Sequence, residues 1–233
     1  MKFAVLSTVG SLAIVGPTLA QTPPGFSPAT TETFTVKFGN TAVTAGNAIK
    51  LEDTAVAPTI DFGDVSGNSA HVVTMLDLDA PMGDADRSYS PLLHWMASIP
   101  SGDKSSVTAK DVAPYAGPQP PVGYGPHRYV LLLLIDPSAE FHLPSGFENQ
   151  TYADVTSRLM FPLEKFIAAG NFQVAAANWF TTENTTATPT NSSGPTNSSS
   201  PSTSAPVTAG ATGLQASVAG ALLALMSLQI FHL

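Results

Sequence analysis

A Ser/Thr-rich tract, Thr181–Gly213, sets the main limit on what this chain can fold into. Ser and Thr occupy 17 of its 33 positions, and Glu183 is its single charged residue. Such a stretch has too few apolar side chains to bury a core, and its composition is typical of an O-glycosylated stalk. We therefore expect the folded body to end near residue 182 and the stalk to occupy residues 183–213.

The two ends of the chain have the patterns of targeting signals. Residues 1–20 carry one charge and an apolar run that closes on small residues, which predicts a signal peptide cleaved after Ala20. The last 16 residues contain no Lys, Arg, Asp or Glu and follow a short polar spacer. This order predicts a glycosylphosphatidylinositol (GPI) attachment signal over residues 214–233, which is removed on anchoring. Gly210 or else Ala209 is the expected attachment residue, and a short C-terminal membrane helix is the alternative.

These signals together predict a secreted protein of the cell surface. We expect it to be anchored to the plasma membrane or transferred to the cell wall, with the GPI anchor as its only attachment to a membrane. Asn-x-Ser/Thr sequons fit a secretory route and predict N-glycosylation. The four sequons begin at Asn149, Asn184, Asn191 and Asn197.

The remaining body, residues 21–182, is long enough for one domain with its own core. The chain has no cysteine, which excludes disulfides, thiol catalysis and Cys-type zinc sites. Its formal net charge is −8 and no basic cluster is visible, so we exclude nucleic acid as a partner. We expect no cofactor.

Apolar runs predict a mainly β body. The expected strands are 33–38, 58–62, 71–78, 92–99, 128–135 and 172–180. Val130–Leu134 is apolar on both faces, which predicts a central strand covered on both sides. Tyr152–Ala169 has a helical pattern that Pro162 breaks and Gly170 ends, and we expect it to pack at one edge. These elements predict a β-sandwich or a similar antiparallel β fold.

Polar side chains concentrate where three strands meet loops constrained by Pro or Gly. The three segments are Asp77–Pro81, Leu93–Trp95 and Gly117–Tyr129. Two histidines, a tyrosine and a carboxylate gathered there would bind an anion, with imidazole N–H groups and the phenol donating. Taken alone, His94 is better explained as a hydrogen-bonded core histidine than as a ligand-binding residue. His71 and His142 are isolated and are expected at the surface or at an edge.

Three sequence segments together carry a family resemblance: DLDAP (77–81), LHWMASIP (93–100) and YAGPQPPVGYGPHRYVLLLL (115–134). They resemble the D-P-D-A-P, H-W and G-P-x-P-P-x-G-x-H-R-Y motifs of the phosphatidylethanolamine-binding protein family. That family includes Raf kinase inhibitor proteins, plant flowering regulators and a fungal carboxypeptidase inhibitor. The segment FPLEKFIAAGNFQVAAANWF (161–180) is similar to the closing helix and strand of the family. The resemblance spans about residues 33–182.

The resemblance implies an antiparallel β-sandwich with one or two short helices near the C-terminal end of the domain. It also implies a small cavity for an anion such as phosphate or a phosphorylated head group. Carried over position by position, its ligand-binding residues are Asp77, Pro81, His94, Pro121, His127 and Tyr129. Asp79 and Gly117 would have structural roles beside the pocket. Arg128 points opposite to its two neighbours in an alternating strand, so we expect it to form a structural ion pair.

Two positions depart from the family pattern. Leu78 replaces the first proline of the D-P-D-A-P motif, which removes one constraint on that turn. Leu92 stands where relatives often carry Trp, Tyr or His at the cavity wall. An aliphatic side chain neither stacks like an aromatic ring nor hydrogen-bonds, so the choice of ligand is expected to differ from that of relatives.

Three functions follow as hypotheses. The first is a non-enzymatic binding protein at the cell surface, with phosphate or a phospholipid head group such as phosphoethanolamine as its ligand. The second is inhibition of a serine carboxypeptidase or another protease through surface loops and the Pro-rich segment Gln21–Thr33. The third is a hydrolase or a metal-dependent enzyme that uses the Asp/His cluster. Because no G-x-S-x-G element is present, the hydrolase lacks a recognisable nucleophile.

Overall fold

The computed structural model describes residues 20–63 and 69–185. The predicted signal peptide (apart from Ala20), most of the Ser/Thr-rich stalk and the predicted attachment signal with Gly210 lie outside the described residues. Asn191 and Asn197 also lie outside them.

The described residues form two β-sheets. The strands are β1 (Thr35–Phe38), β2 (Thr41–Ala42), β3 (Asn47–Ala48), β4 (Thr59–Asp61), β5 (Ala70–Asp77), β6 (Leu92–Ile99), β7 (Lys110–Ala113), β8 (His127–Asp136) and β9 (Gln173–Thr182). A three-stranded sheet has the order β2-β1-β4, and a six-stranded sheet has the order β3-β9-β8-β5-β6-β7. All pairs are antiparallel except β3 with β9, so the predicted β-sandwich is confirmed with one parallel pair at its edge.

The large sheet is buried on both faces. One face packs against the small sheet, where Phe34, Val36 and Phe38 meet side chains such as Leu131 and Leu133. The other face carries a second core that includes Val130 and Leu132 with their neighbours. Strand β8 is therefore the covered central strand that the apolar run predicts, because alternate side chains of one strand enter opposite cores.

The helical segment forms in two pieces, as Pro162 predicts. A 3-10 helix covers Val155–Arg158, and α1 covers Leu163–Gly170. The left-handed residue that ends α1 is Asn171, not Gly170. The expected packing at an edge is wrong: Leu163 and Phe166 lie in the second core, on the face of the large sheet. This face of the large sheet is apolar, and the helix packed on it buries that apolar surface.

Two further differences concern the strands. The sequence analysis misses β2, β3 and β7, which have only two to four residues and no clear alternation. His71 is not at the surface; it is 1% exposed and its ring packs 4.5 Å from that of Phe62. All eight residues of β5 are buried because the strand lies between β8 and β6. His142 is exposed, as expected.

Two short 3-10 helices complete the described secondary structure, at Leu51–Thr54 and Ser106–Thr108. Within residues 20–63 and 69–185, no helix has both the length and the apolar character needed to cross a membrane.

Candidate functional site

The site begins with Asp77, the last residue of β5. Its side chain is buried, and its two oxygens have different partners. Oδ1 accepts the main-chain N–H of Asp79 at 2.8 Å, which fixes the turn that follows the strand. Oδ2 accepts from Nδ1 of His127 at 2.8 Å. The carboxylate therefore joins the end of β5 to the start of β8.

Strand β8 brings His127 and Tyr129 to the same face as this carboxylate. Tyr129 pairs directly with Asp77 in the antiparallel register, and His127 lies two residues before it. Both side chains are buried, with 1% and 0% exposure. Burial and the neighbouring Asp77 charge raise the pKa of Tyr129 well above its usual value, so its hydroxyl is a donor at neutral pH.

A β-bulge places His94 beside them. Met75 pairs with Trp95 and Leu76 with Leu93, so His94 is the extra residue with no partner across the ladder. Its Nδ1 lies 2.7 Å from the carbonyl oxygen of Ala116, and its Nε2 lies 3.8 Å from Oδ2 of Asp77. Simple alternation of side chains along β6 does not predict that His94 lies beside Asp77. The bulge changes which of the following side chains project from each face of the sheet.

The three rings enclose a small group of unpartnered polar atoms. The His94 ring is 5.3 Å from the Tyr129 ring in an edge-on arrangement, and the His127 ring is 6.4 Å from it and nearly parallel. In the described structure, Nε2 of both histidines and the Tyr129 hydroxyl are buried without a hydrogen-bond partner. A ligand therefore reaches them only after neighbouring side chains move.

Burial controls the charge of His94. It lowers the pKa of this ring below its ordinary value, and the charges of Arg158 and His127 act in the same direction. The Asp77 carboxylate and the Ala116 carbonyl oppose that change without cancelling it. His94 is therefore neutral at pH 7 when no ligand is bound.

Asp79 lies next to the site and ties its loop to β8. Its oxygens accept the main-chain N–H and two side-chain N–H groups of Arg128, each at 2.8 Å, and Nε of Arg87 at 2.7 Å. Burial acts to raise the pKa of Asp79, but the hydrogen bonds and charge of Arg128, with the charge of Arg87, outweigh it and lower that pKa. The structure thus places Asp79 and Arg128 in a bidentate ion pair directed away from His127 and Tyr129.

The predicted loop residues differ in burial and in the part of the chain that they contact. Pro81 is buried, and Pro121 is partly exposed in the connection between β7 and β8. Gly117 packs closely against main chain: an added Cβ would lie 2.9 Å from the carbonyl oxygen of Thr54 and 3.7 Å from Cα of Ala55. The tight contact at Gly117 is therefore with the 3-10 helix over residues 51–54 and not with the Asp/His/Tyr cluster.

The two departures from the family pattern are both packed residues. Leu92 pairs with Asp77 across the ladder and is 3% exposed, in a small cluster with Ala80 and Val155. Leu78 is partly buried against the second core. An aliphatic residue therefore lies directly across from the carboxylate of the site.

Three contributors to the site are absent from the sequence analysis. The Ala116 carbonyl holds the His94 ring, and no side-chain pattern reveals a main-chain acceptor. Arg158 is fully buried and donates to the carbonyls of Tyr152, Pro114 and His94 at 2.8, 2.7 and 3.3 Å. Burial lowers its pKa to about 10, so it stays charged at neutral pH.

The third contributor is Thr182, which pairs directly with His127 at the end of β9. Opposite residues of an antiparallel pair project from the same face of a sheet. The Thr182 hydroxyl is buried without a partner in the described part of the chain. In the sequence, Thr182 does not stand out because it lies at the start of the Ser/Thr-rich tract.

Two of the predicted glycosylation sites lie in the described residues. Asn149 is exposed, as is Thr151, the third residue of its sequon. Asn184 is partly exposed, just beyond the end of β9.

Comparisons with known proteins cover most of this folded body. The family model described as phosphatidylethanolamine-binding protein matches residues 32–173. Phomoidride biosynthesis cluster protein N of Talaromyces stipitatus is 31% identical over 183 residues, which cover 70% of this chain and 90% of that protein. An uncharacterized protein of Saccharomyces cerevisiae is 29% identical over 161 residues, covering 60% and 76% of the two chains. A carboxypeptidase Y inhibitor, solved in complex with its cognate proteinase, has a similar fold, with a TM-score of 0.51 and 21% sequence identity. The similarity covers 65% of this chain and 83% of the inhibitor chain.

Proposed function

The chain belongs to the phosphatidylethanolamine-binding protein family, and we propose that its buried Asp/His/Tyr cluster binds phosphate or a phosphorylated head group such as phosphoethanolamine. The observation that carries this proposal is the group of three unpartnered atoms, Nε2 of His94, Nε2 of His127 and the hydroxyl of Tyr129. Each buried polar atom left without a partner costs about 1–3 kcal/mol. Buried polar atoms in this state, on rings that pack against each other, favour a ligand that satisfies them.

The same geometry favours binding over catalysis. Two of the serine hydroxyls near His94 in sequence are engaged elsewhere: Ser90 donates to the Leu78 carbonyl at 2.9 Å, and Ser98 donates to that of Lys110 at 3.4 Å. Neither hydroxyl is bonded to an imidazole, so neither is activated as a nucleophile. Within the described ranges, no group of three or more His, Cys, Asp or Glu side chains has an arrangement that would hold a metal ion. The match to the phosphatidylethanolamine-binding protein family supports our proposal of a non-enzymatic binding protein.

Calorimetric titration of the full-length protein tests this proposal. The ligands are phosphoethanolamine and inorganic phosphate, each at pH 5.5 and at pH 7.5. Since a protonated imidazole donates from both nitrogens, we expect tighter binding at the lower pH. His94→Ala and His127→Ala should each abolish the binding heat, whereas the exposed His142→Ala should leave it unchanged. No heat with either ligand at either pH, from a sample with the far-ultraviolet spectrum of a β protein, would refute the proposal.

Protease inhibition is a second candidate. The observation in its favour is the similarity of fold to a carboxypeptidase Y inhibitor. In this chain, Gln21 N–H donates to the Thr30 carbonyl at 2.9 Å, so the two ends of the Pro-rich segment are held together. Steady-state assays of a serine carboxypeptidase with and without the full-length protein test this function. Unchanged peptidase activity at micromolar concentrations of the full-length protein would remove it.

We also propose that the protein acts at the cell surface. The support is the order of a signal peptide, a Ser/Thr-rich stalk and an attachment signal in the sequence. Treatment of intact cells with a phospholipase that cleaves GPI anchors should release the protein into the medium, unless it has been transferred to the wall. Asn149→Gln should increase its electrophoretic mobility by the mass of one glycan.

A further inference from the structure

Arg158 is a buried cation that has no counter-ion among the residues that the structure describes. Its side chain is 0% exposed, and its hydrogen bonds go to the main-chain carbonyls of Tyr152, Pro114 and His94. No described carboxylate forms an ion pair with it, and its Nη2 is buried without a hydrogen-bond partner. The carbonyls satisfy N–H donors but supply no opposite charge, and an unpaired charge in the interior is costly.

The charge of Arg158 acts on the proposed anion site. Its Nη1 lies 3.3 Å from the His94 carbonyl oxygen, and its charge is one of those that lower the pKa of the His94 ring. A charge in the protein interior is screened less than one in water, so it acts beyond its contact distance. The other two arginines beside the site do not contribute in this way, because Arg87 and Arg128 both pair with Asp79.

The surrounding carboxylates compensate Arg158 only in part. Asp111 and Asp154 act to raise its pKa, but burial outweighs them and lowers that pKa to about 10, so the charge remains at neutral pH. Both carboxylates belong to exposed residues, where water screens them. The oxygens of Asp77 accept hydrogen bonds from His127 and from the main chain of the turn that follows β5. An anion bound in the Asp/His/Tyr cluster would therefore supply part of the missing counter-charge.

We propose that Arg158 is the counter-charge of the ligand and attracts a negatively charged phosphate group to the cluster through its electric field, without touching it. The site would then select phosphate groups that carry a charge, monoester and diester alike, over neutral phosphate esters of similar size. The three carbonyls hold the guanidinium in place behind the main chain of His94, so its field is oriented before the ligand arrives. This inference rests on the proposed function of the cluster as an anion site.

The test compares a charged with a neutral phosphate ester on the full-length protein. Dimethyl phosphate is a monoanionic diester, and trimethyl phosphate is its neutral counterpart. Calorimetric titration at pH 7.5 gives the dissociation constant of each. We expect dimethyl phosphate to bind about tenfold more tightly or better, because the Coulomb attraction acts on the charged ester alone.

Two variants of Arg158 separate its charge from its hydrogen bonds. Arg158→Gln removes the charge and keeps an amide donor, and it should reduce the ratio of the two affinities roughly fivefold or more. Arg158→Lys keeps the charge and should retain most of that ratio. A role confined to holding the His94 segment would weaken both esters alike and leave the ratio unchanged. Lys165→Gln removes an exposed charge of α1 and should leave the ratio as in wild type.

A second arm distinguishes a lipid from a soluble ligand of the same chemistry. Phosphatidylcholine vesicles with and without phosphatidylethanolamine are sedimented with the protein at pH 7.5, and glycerophosphoethanolamine is the soluble probe in calorimetry. Retention only on the vesicles that contain phosphatidylethanolamine identifies a lipid source. Binding of glycerophosphoethanolamine without such retention identifies a soluble source. In either case Arg158→Gln should weaken the binding roughly fivefold or more.

The outcomes separate this inference from the proposed function. Equal affinity of the wild type for the two methyl esters overturns the counter-charge and leaves the anion site standing. An unchanged ratio in Arg158→Gln, or an equal loss in Arg158→Gln and Arg158→Lys, overturns it in the same way. The comparison of esters on the wild type needs no variant, so it decides the inference even where Arg158→Gln fails to fold. Absence of binding by every probe overturns both.

Discussion

The Asp79 carboxylate is the group whose removal should most damage the loop beside the site. It accepts four hydrogen bonds, three from Arg128 and one from Arg87, and its side chain is only 3% exposed. Asp79→Asn keeps the size of the side chain but removes the charge. It also turns an NH₂ group toward donors, so at least one arginine N–H loses its acceptor.

The size of the effect depends on how far water reaches the arginines. Breaking a fully buried ion pair costs about 3–5 kcal/mol. The side chain of Arg128 is 30% exposed and that of Arg87 is 46% exposed, so water replaces part of the lost interaction. We therefore expect Asp79→Asn to lower the free energy of unfolding by about 2–3 kcal/mol at pH 7.

The loss should depend on pH in a defined direction. The pKa of Asp79 is lowered in the folded state, so its contribution is complete above the ordinary carboxyl pKa and fades as pH falls through the lowered value. The difference between wild type and Asp79→Asn should be constant from pH 7 to about pH 5 and shrink below about pH 4. Urea unfolding followed by tryptophan fluorescence at these pH values measures it.

The matched control for this variant is Asp84→Asn. Asp84 also pairs with Arg87, but its side chain is 96% exposed, and exposed pairs contribute little. It should unfold like wild type. If Asp79→Asn cost less than about 1 kcal/mol, or if its cost were the same at pH 3 as at pH 7, the buried pair would not stabilise the fold as argued here.

Three further substitutions test separate parts of the site. Arg158→Met removes the donors to three main-chain carbonyls and should lower the free energy of unfolding, measured in urea, by about 2–4 kcal/mol. A variant as stable as wild type would contradict the role of Arg158 in fixing the His94 segment. Tyr129→Phe removes an unpartnered buried hydroxyl, so stability should stay equal or rise while calorimetric binding of phosphate weakens at least fivefold; loss of stability would mean that the hydroxyl has a partner in the folded protein. Gly117→Ala places Cβ 2.9 Å from the Thr54 carbonyl and should cost about 1–3 kcal/mol in thermal unfolding, whereas an unchanged midpoint would show that the loop yields freely.

The long strands of this fold follow from the sequence because each buries a periodic pattern. Phe34, just before β1, and Val36 and Phe38 within it alternate along the chain, and all three enter the first core. In β8, the continuous run from Val130 to Leu134 requires cover on both sides and receives it. The short strands carry too few residues to show a period, and their position is set by the partners they pair with.

The side-chain set of the site is predictable, but its geometry is not. Motif resemblance gives Asp77, His94, His127 and Tyr129, and the structure brings these four together. The β-bulge at His94 is a property of the pairing between β5 and β6, which sequence alternation does not contain. The Ala116 carbonyl is equally invisible, although it decides which nitrogen of His94 faces the site. The sequence analysis expects an imidazole N–H donor there, but the Nδ1 hydrogen of neutral His94 is directed to the Ala116 carbonyl, so its Nε2 presents a lone pair to the site.

The end of β9 sets how the domain is presented to its surroundings. The strand stops at Thr182, which lies across from His127, and the Ser/Thr-rich sequence begins beside it. The chain that continues beyond β9 therefore leaves the domain at the end of the large sheet where His127 lies. If the protein is anchored through this tract as proposed, the site would lie at the end of the domain next to the tether.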